Sequence, residues 1–522
     1  MNAMKTEQVR QVRKAALAVG VGAALVGGVL LFVPDQGPVP PPSPEARAMI
    51  AVGAGAPAAV PDLTALISNR ETWLRTHPED DQSWSVLGAA YVERGMSGAD
   101  SASYPKADQA LQRSLAVRPA ERGNLMALVG LGSLANARND FAAAKKWGET
   151  VRNQEPAQWM AYPVLIDAYS GLGDYKAAAK ALDKLKELRS DGPVLERSTQ
   201  VYRARGWRED AMAKATEAVA GAGAPTEKAE ALSMLGELAW DRGEPQEALG
   251  HYDAALAAAS GHYASRAGRA RALAALGRTE EAYRDYQTAL EKLPEPEYAL
   301  ELGELYDSLG LSGDAQSQYA TVLARAREAQ GDGVDEDLVL ARYETAHGDP
   351  QAAVARLRTE WEQRHRSMEV ADALGWALYE AGEDDEALKY AKRATEQGQG
   401  RALFLYHRGE IERSLGMDGS ARRHIGEALR LNPSFSPLLA PRAREALNEL
   451  GEMPEGGPEN MYGDGEEEEV ELVPARKPAP GRSGAPSRKA ESATPTPTTP
   501  GLHAPVGTVA PAKPSPATYG RG

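Results

Sequence analysis

Apolar residues recur at helical spacing from about residue 62 to residue 451, and short Gly/Asp/Pro turns interrupt the recurrence at regular intervals. Examples are Gly173-Asp174-Tyr175, Gly243-Glu244-Pro245, Gly277-Arg278-Thr279 and Gly382-Glu383-Asp384. An alanine follows a few residues after each break. Ten such alanines, Ala107, Ala144, Ala178, Ala211, Ala248, Ala282, Ala315, Ala353, Ala387 and Ala421, stand 33 to 38 residues apart. Twelve residues before the alanine the chain usually carries a small residue: Gly132, Gly236, Ala270, Gly303, Ala341, Gly375 and Gly409. In the first unit that residue is Gly88, displaced by extra residues near 97–103, whereas Ile166 and Thr199 depart from the rule. Four residues after the alanine a bulky side chain is usual, as at Leu111, Leu182, Tyr252, Tyr286, Tyr319, Leu357 and Ile425. Two antiparallel helices approach closely only where both carry small side chains, and bulky ones then fill the groove to the next pair. The period predicts an all-α fold of about ten helix–turn–helix repeats over 80–433. Capping helices are expected at 62–79 and 434–451, because an open-ended stack needs both ends covered.

Trp84, Leu87, Gly88, Tyr91, Ala107, Leu111 and Pro119 follow one known pattern residue by residue, apart from the insertion. In this the chain resembles the tetratricopeptide repeat family. The resemblance implies a superhelical solenoid whose stacked first helices line a concave groove that holds a peptide or helix of a partner protein. The groove face comprises the residue after the small first-helix position and those four before and three after it. In the first two repeats it is small and uncharged: Ser85, Ala89, Val92, Val129, Ser133 and Asn136. Towards the C-terminal half it becomes polar and aromatic, with Trp240, Arg271, Glu304, Arg342, Trp376, Tyr379, Tyr406 and Arg413. Trp, Tyr and Arg dominate binding hot spots, so Trp376, Tyr379 and Tyr406 form the preferred partner-binding cluster, with the arginines placed for carboxylates. Family members that clamp a chaperone's C-terminal carboxylate use Lys and Asn on this face. Here the face offers no Lys and only Asn136, which argues against that role.

The termini read differently. Residues 1–14 form a basic flank and residues 15–33 an uncharged run long enough to cross a bilayer, so a single-pass anchor with a cytoplasmic N-terminus is expected. The competing reading is a cleaved signal and a secreted protein. Residues 34–61 hold eight prolines and read as an extended linker without regular helix, and 452–522 as a disordered acidic and Pro-rich tail. The layout of anchor plus repeats resembles bacterial proteins that assist envelope assembly.

Composition narrows the chemistry. The 522 residues include 59 Lys+Arg against 74 Asp+Glu, a net charge of −15, and no Cys. That excludes disulfides, thiolate zinc sites and cysteine nucleophiles, and it disfavours nucleic acid as a partner. The histidines lack the paired spacing of a zinc helix, and no phosphate loop or nucleophile elbow is present. Asp332, Asp335 and Asp337 lack calcium-loop spacing. No catalytic residue, metal or cofactor is expected. The residues point to a non-enzymatic scaffold or adaptor tethered to the membrane, which favours complex assembly by concentrating protein partners there. The alternative is an envelope or secreted protein that recognises a glycan or cell-wall polymer.

Overall fold

The computed structural model describes residues 41–363, 365–396 and 401–451. Among them the chain forms 23 α-helices and no strand. Helices α1 (Pro44–Ala54) and α2 (Val60–Thr76) lead into ten antiparallel pairs. The first five are α3 (Asp81–Gly98) with α4 (Ser103–Val117), α5 (Leu125–Ala137) with α6 (Phe141–Gln154), α7 (Ala161–Gly171) with α8 (Tyr175–Leu188), α9 (Gly192–Ala204) with α10 (Arg208–Gly221), and α11 (Pro225–Asp241) with α12 (Pro245–Ala258). The next five are α13 (Tyr263–Ala275) with α14 (Thr279–Lys292), α15 (Pro296–Ser308) with α16 (Ser312–Gly331), α17 (Asp337–His347) with α18 (Pro350–Gln363), α19 (Met368–Glu380) with α20 (Asp384–Thr395), and α21 (Ala402–Ser414) with α22 (Asp418–Leu431). Helix α23 (Leu439–Glu449) packs on the last pair.

The turn chemistry explains the hairpins. Asp140 and Asp174 each accept a hydrogen bond from the N–H three residues on, at 3.0 and 2.9 Å, and so cap the second helix of their repeat. In most pairs a small residue makes room for a bulky one. A Cβ at Gly236 would stand 2.5 Å from the Tyr252 ring, and one at Gly268 of the next repeat equally close to the other side. The phenol hydroxyl then emerges on the concave side, where Tyr252 donates to Glu237 at 2.6 Å. Tyr286 donates likewise to Glu301 at 2.8 Å and Tyr319 to Asp307 at 2.7 Å. Each of these three tyrosines thus satisfies its polar tip.

The linker expected over 34–61 is corrected in its described part. Residues 44–54 are helical: Ser43 caps the helix, Pro44 occupies a first-turn position that needs no N–H donor, and Gly55 ends it at φ 69°. The run Glu45–Gly53 contains no proline, and its Ala48 is fully buried against α2 and α3. Arg47 pairs with Asp62 at 2.6 Å and Arg70 with Glu45 at 3.2 Å. The expectations for 1–14, 15–33 and 452–522 lie outside the described residues. Among the described residues no helix is long and apolar enough to cross a membrane.

The stack also closes on itself. Asn139 donates to the Asp335 carbonyl at 2.9 Å, the Met368 N–H donates to the Tyr175 hydroxyl at 3.0 Å, and Asn432 donates to the Trp240 carbonyl at 2.9 Å. These partners are 196, 193 and 192 residues apart, so a superhelical turn meets the next after just under six repeats. The same seam requires Gly173, whose φ of 73° and contact with the Arg366 backbone leave no space for a side chain.

Two glycine substitutions test the packing rule. A Cβ at Gly375 would lie 3.0 Å from the Ala391 nitrogen and 3.2 Å from the Ala387 carbonyl, atoms that cannot rotate away. Gly375→Ala is therefore expected to destabilise by about 1–3 kcal/mol. Gly250, inside α12, meets nothing within 4 Å, so Gly250→Ala is expected to stabilise by about 0.5–1 kcal/mol. Urea unfolding followed by circular dichroism reads both signs; equal shifts for the two variants would contradict the rule.

Candidate functional site

The concave positions of the first repeats surround a cavity of about 1540 Å³. Ser85, Ala89 and Val92 of α3 and Val129, Ser133 and Asn136 of α5 border it. Residues 55–59, between α1 and α2, cross this space and form one wall. Ala59 there has φ −67° and ψ 136°, the polyproline conformation. The Ala58 N–H donates to Glu93 at 3.2 Å, Thr226 donates to the Pro57 carbonyl at 3.2 Å, and Gly55 rests on the Trp159 indole. Ala56 and Ala58 are buried. The face thus already holds a short non-helical stretch of this chain through backbone hydrogen bonds and small side chains.

Carboxylates crowd the floor of the cavity. Arg197 of α9 pairs with Asp167 of α7 at 3.0 Å and with its neighbour Glu196. Glu230 of α11 lies 2.9 Å from His262. Glu93 accepts only from neutral donors, the Ala58 N–H and the Ser97 hydroxyl at 3.0 Å. Burial pushes the carboxyls of Glu93, Asp167 and Glu196 upward, and Glu230 adds to the rise at Glu93 and Glu196 while Arg197 opposes it. Three further cations line the cavity, but Arg94 pairs with Asp100 at 3.1 Å, Arg118 with Asp81 at 2.7 Å and Lys292 with Glu291 at 2.6 Å, which leaves Arg197 and His262 to the four acids. Asp167 escaped the sequence reading because it follows Ile166, where the small-residue rule lapses; the same face rule applied there would have named it. Glu230 lies one turn below the rule's positions on the long α11, and Glu93 adjoins Val92.

The C-terminal residues favoured by sequence are brought together at the other end of the stack. Trp376 stacks on Tyr379 at 4.8 Å and on His407 at 4.2 Å, and Tyr406 lies 5.9 Å from Trp376. Tyr406 and Trp240 are buried, Trp376 and Tyr379 half-buried. Each arginine already holds carboxylates of this chain. Arg271 bridges Glu237 and Glu301, both at 3.4 Å, beneath the Trp240 ring. Arg342 pairs with Glu297 at 2.8 Å, and Arg413 with Glu410 at 2.7 Å and Glu449 at 3.4 Å. Of the loop aspartates, Asp332 accepts from Ser101 at 2.7 Å across the seam and Asp337 pairs with Arg356 at 2.6 Å.

Residues 200–264 and 233–296 match the sequence profile of the tetratricopeptide repeat. The chain carries such repeats over residues 200–296. No curated protein matches the sequence. Among solved structures, a tetratricopeptide repeat protein from Parabacteroides merdae is 20% identical over 50% of this chain and 98% of its own, with a TM-score of 0.29. Human IFIT1, solved as a dimer with PPP-AAAA, is 14% identical over 67% of this chain and 81% of its own, TM-score 0.40. The Cut9–Hcn1 hetero-tetramer of APC/C is 12% identical over 86% of this chain and 95% of its own, TM-score 0.36.

Partly buried carboxylates further along the stack also make stability depend on pH. Burial, with Glu301 beside it, pushes Glu304 up to about 7; burial with Glu297 pushes Glu295 to about 7, and burial with Glu295 pushes Glu336 to about 8. Carboxyls raised in the folded state stabilise it fully below their unfolded value of about 4.3 and lose that contribution as pH rises through the folded value. The thermal midpoint is expected to fall between pH 6 and pH 8.5, and Glu304→Gln to flatten that slope. A midpoint that rises over this interval, or a variant with the unaltered slope, would refute the assignment.

Proposed function

We propose that this protein is a non-enzymatic scaffold, tethered to a membrane through residues 15–33, that holds an extended segment of a partner protein on the concave face of its repeats. The observation that carries the reading is the segment at residues 55–59, a stretch of backbone seated on that face by Glu93 and Thr226 beside open space of about 1540 Å³. That volume has room for several more residues of polypeptide. Tetratricopeptide repeats serve generally as protein-interaction surfaces, and the match at 200–296 overlaps the helices that carry Glu230 and Thr226. Scaffolding follows from tethering: two partners brought to one surface meet at a raised effective concentration without any bond being made or broken.

Photo-crosslinking tests the reading. Benzoylphenylalanine placed at Val129, in the cavity, is expected to yield a discrete polypeptide adduct in native membranes, and the same group at exposed Lys180 on α8 is not. Identical products from both positions, or glycan adducts alone, would sink it. The tether is read separately: the full chain should resist carbonate extraction and a chain lacking residues 1–33 should be released.

A further inference from the structure

The acids of the cavity differ from those that the central arginines of the concave face hold. At the centre of the stack Arg203 holds Asp241 at 2.6 Å, and Arg271 spans Glu237 and Glu301. Between Arg203 and Arg271 the Glu237 carboxyl is held down to about 2 despite burial, because two guanidiniums and the Tyr252 hydroxyl serve it. The four clustered acids of the cavity are not matched in this way, because its other cations, Arg94, Arg118 and Lys292, are engaged by Asp100, Asp81 and Glu291. Glu93, Asp167, Glu196 and Glu230 share Arg197, with His262 reaching only Glu230. Such a group is costly to bury and is relieved by a cation.

The rest of the lining narrows what carries the cation. Val86, Val129, Trp159 and Pro163 give the walls an apolar surface, and Met96 and Met126, 49% and 41% exposed, stand at it as adaptable contacts. The wall at residues 55–59 shows the backbone chemistry the site accepts: glycine, alanine and proline only, without internal helix and with main-chain groups bound by the face.

We propose that the cavity takes an extended stretch of partner polypeptide in which a lysine or arginine sits among small apolar and proline residues, its cation seated between Glu93, Asp167, Glu196 and Glu230. This rests on the groove reading above and specifies the partner's chemistry. The partner lies alongside residues 55–59, its apolar residues against Trp159 and Val129. Its cation supplies the positive charge that Arg197 alone cannot. Seating it favours the ionised carboxylates, so binding weakens on acidification as well as with salt.

The test uses the detergent-solubilised full chain and a labelled peptide that repeats alanine, proline and lysine. A matched peptide with glutamine for lysine is the reference. Anisotropy is expected to show the lysine peptide binding about tenfold or more tightly, with a steep salt dependence that the glutamine peptide lacks. The variant Glu93→Gln with Glu230→Gln removes two charges while leaving Asp167 and Glu196 on Arg197. It should abolish the preference yet retain the glutamine peptide's affinity, which also shows that the cavity is still formed. Asp183→Asn with Glu209→Gln, two exposed acids on α8 and α10, should leave the preference unchanged. Equal binding of both peptides, with both crosslinking at position 129, would overturn the cation inference and leave the groove reading standing. Lysine-peptide binding that survives the cavity variant, that the surface variant abolishes or that crosslinks elsewhere would assign it to general surface acidity and overturn the proposal. Binding of neither peptide would overturn it as well.

Discussion

The stack depends on one steric arrangement: a large side chain of the second helix seated in a notch left by a small residue of the first. Tyr252 between Gly236 and Gly268 shows its two consequences. The notch fixes how closely the paired helices approach, and the shared ring fixes how the next pair sits on them. Leu111 does the same between Gly88 and Gly130. Where the large residue is missing the arrangement inverts, as at Gly148, which receives Leu165 of the following repeat. At Gly375 no side chain intervenes, and the helices meet backbone to backbone. Because each repeat touches chiefly its neighbours, the sum of these local approaches sets the curvature of the whole.

That curvature brings distant repeats together. The seam at Asn139–Asp335, Tyr175–Met368 and Trp240–Asn432 is made mainly by turns, which supply unpaired carbonyls and N–H groups at helix ends. Curling the stack into this tight turn narrows the concave side, and the segment at residues 55–59 narrows it further. The remaining space at the first repeats is walled on several sides, so its carboxylates lose water. Their raised affinity for protons is the electrostatic counterpart of the same curvature.

The two ends of the concave face have accordingly taken different chemistry. In the C-terminal half Arg271, Arg342 and Arg413 are matched by acids of this chain, and Trp376, Tyr406 and His407 stack on one another. Charge and aromatic surface there are in contact with one another across neighbouring repeats. In the N-terminal half the residues are small, the space is open and four acids cluster about Arg197 and His262. A face that looks plain in composition thus borders open space of about 1540 Å³.

The sequence by itself determined the helical class and the repeat period, because both follow from local spacing: small and large residues at fixed intervals, and glycine–aspartate turns that end one helix and cap the next. It also identified the face to which Ser85, Ala89, Val129 and Ser133 belong, since direction around a helix is set by residue number alone. The helix at residues 44–54 was hidden by prolines that flank it, and only the burial of Ala48 against α2 and α3 makes that stretch worth ordering. The convergence of Glu93, Asp167, Glu196 and Glu230 was not legible, because they come from four helices and meet only through the superhelical turn. Nor was the pairing of Arg271, Arg342 and Arg413, since an arginine's partner depends on which acids the neighbouring helices bring within reach. Periodicity is a property of the chain, whereas proximity between repeats accumulates from many small helix rotations and is decided only in the folded stack.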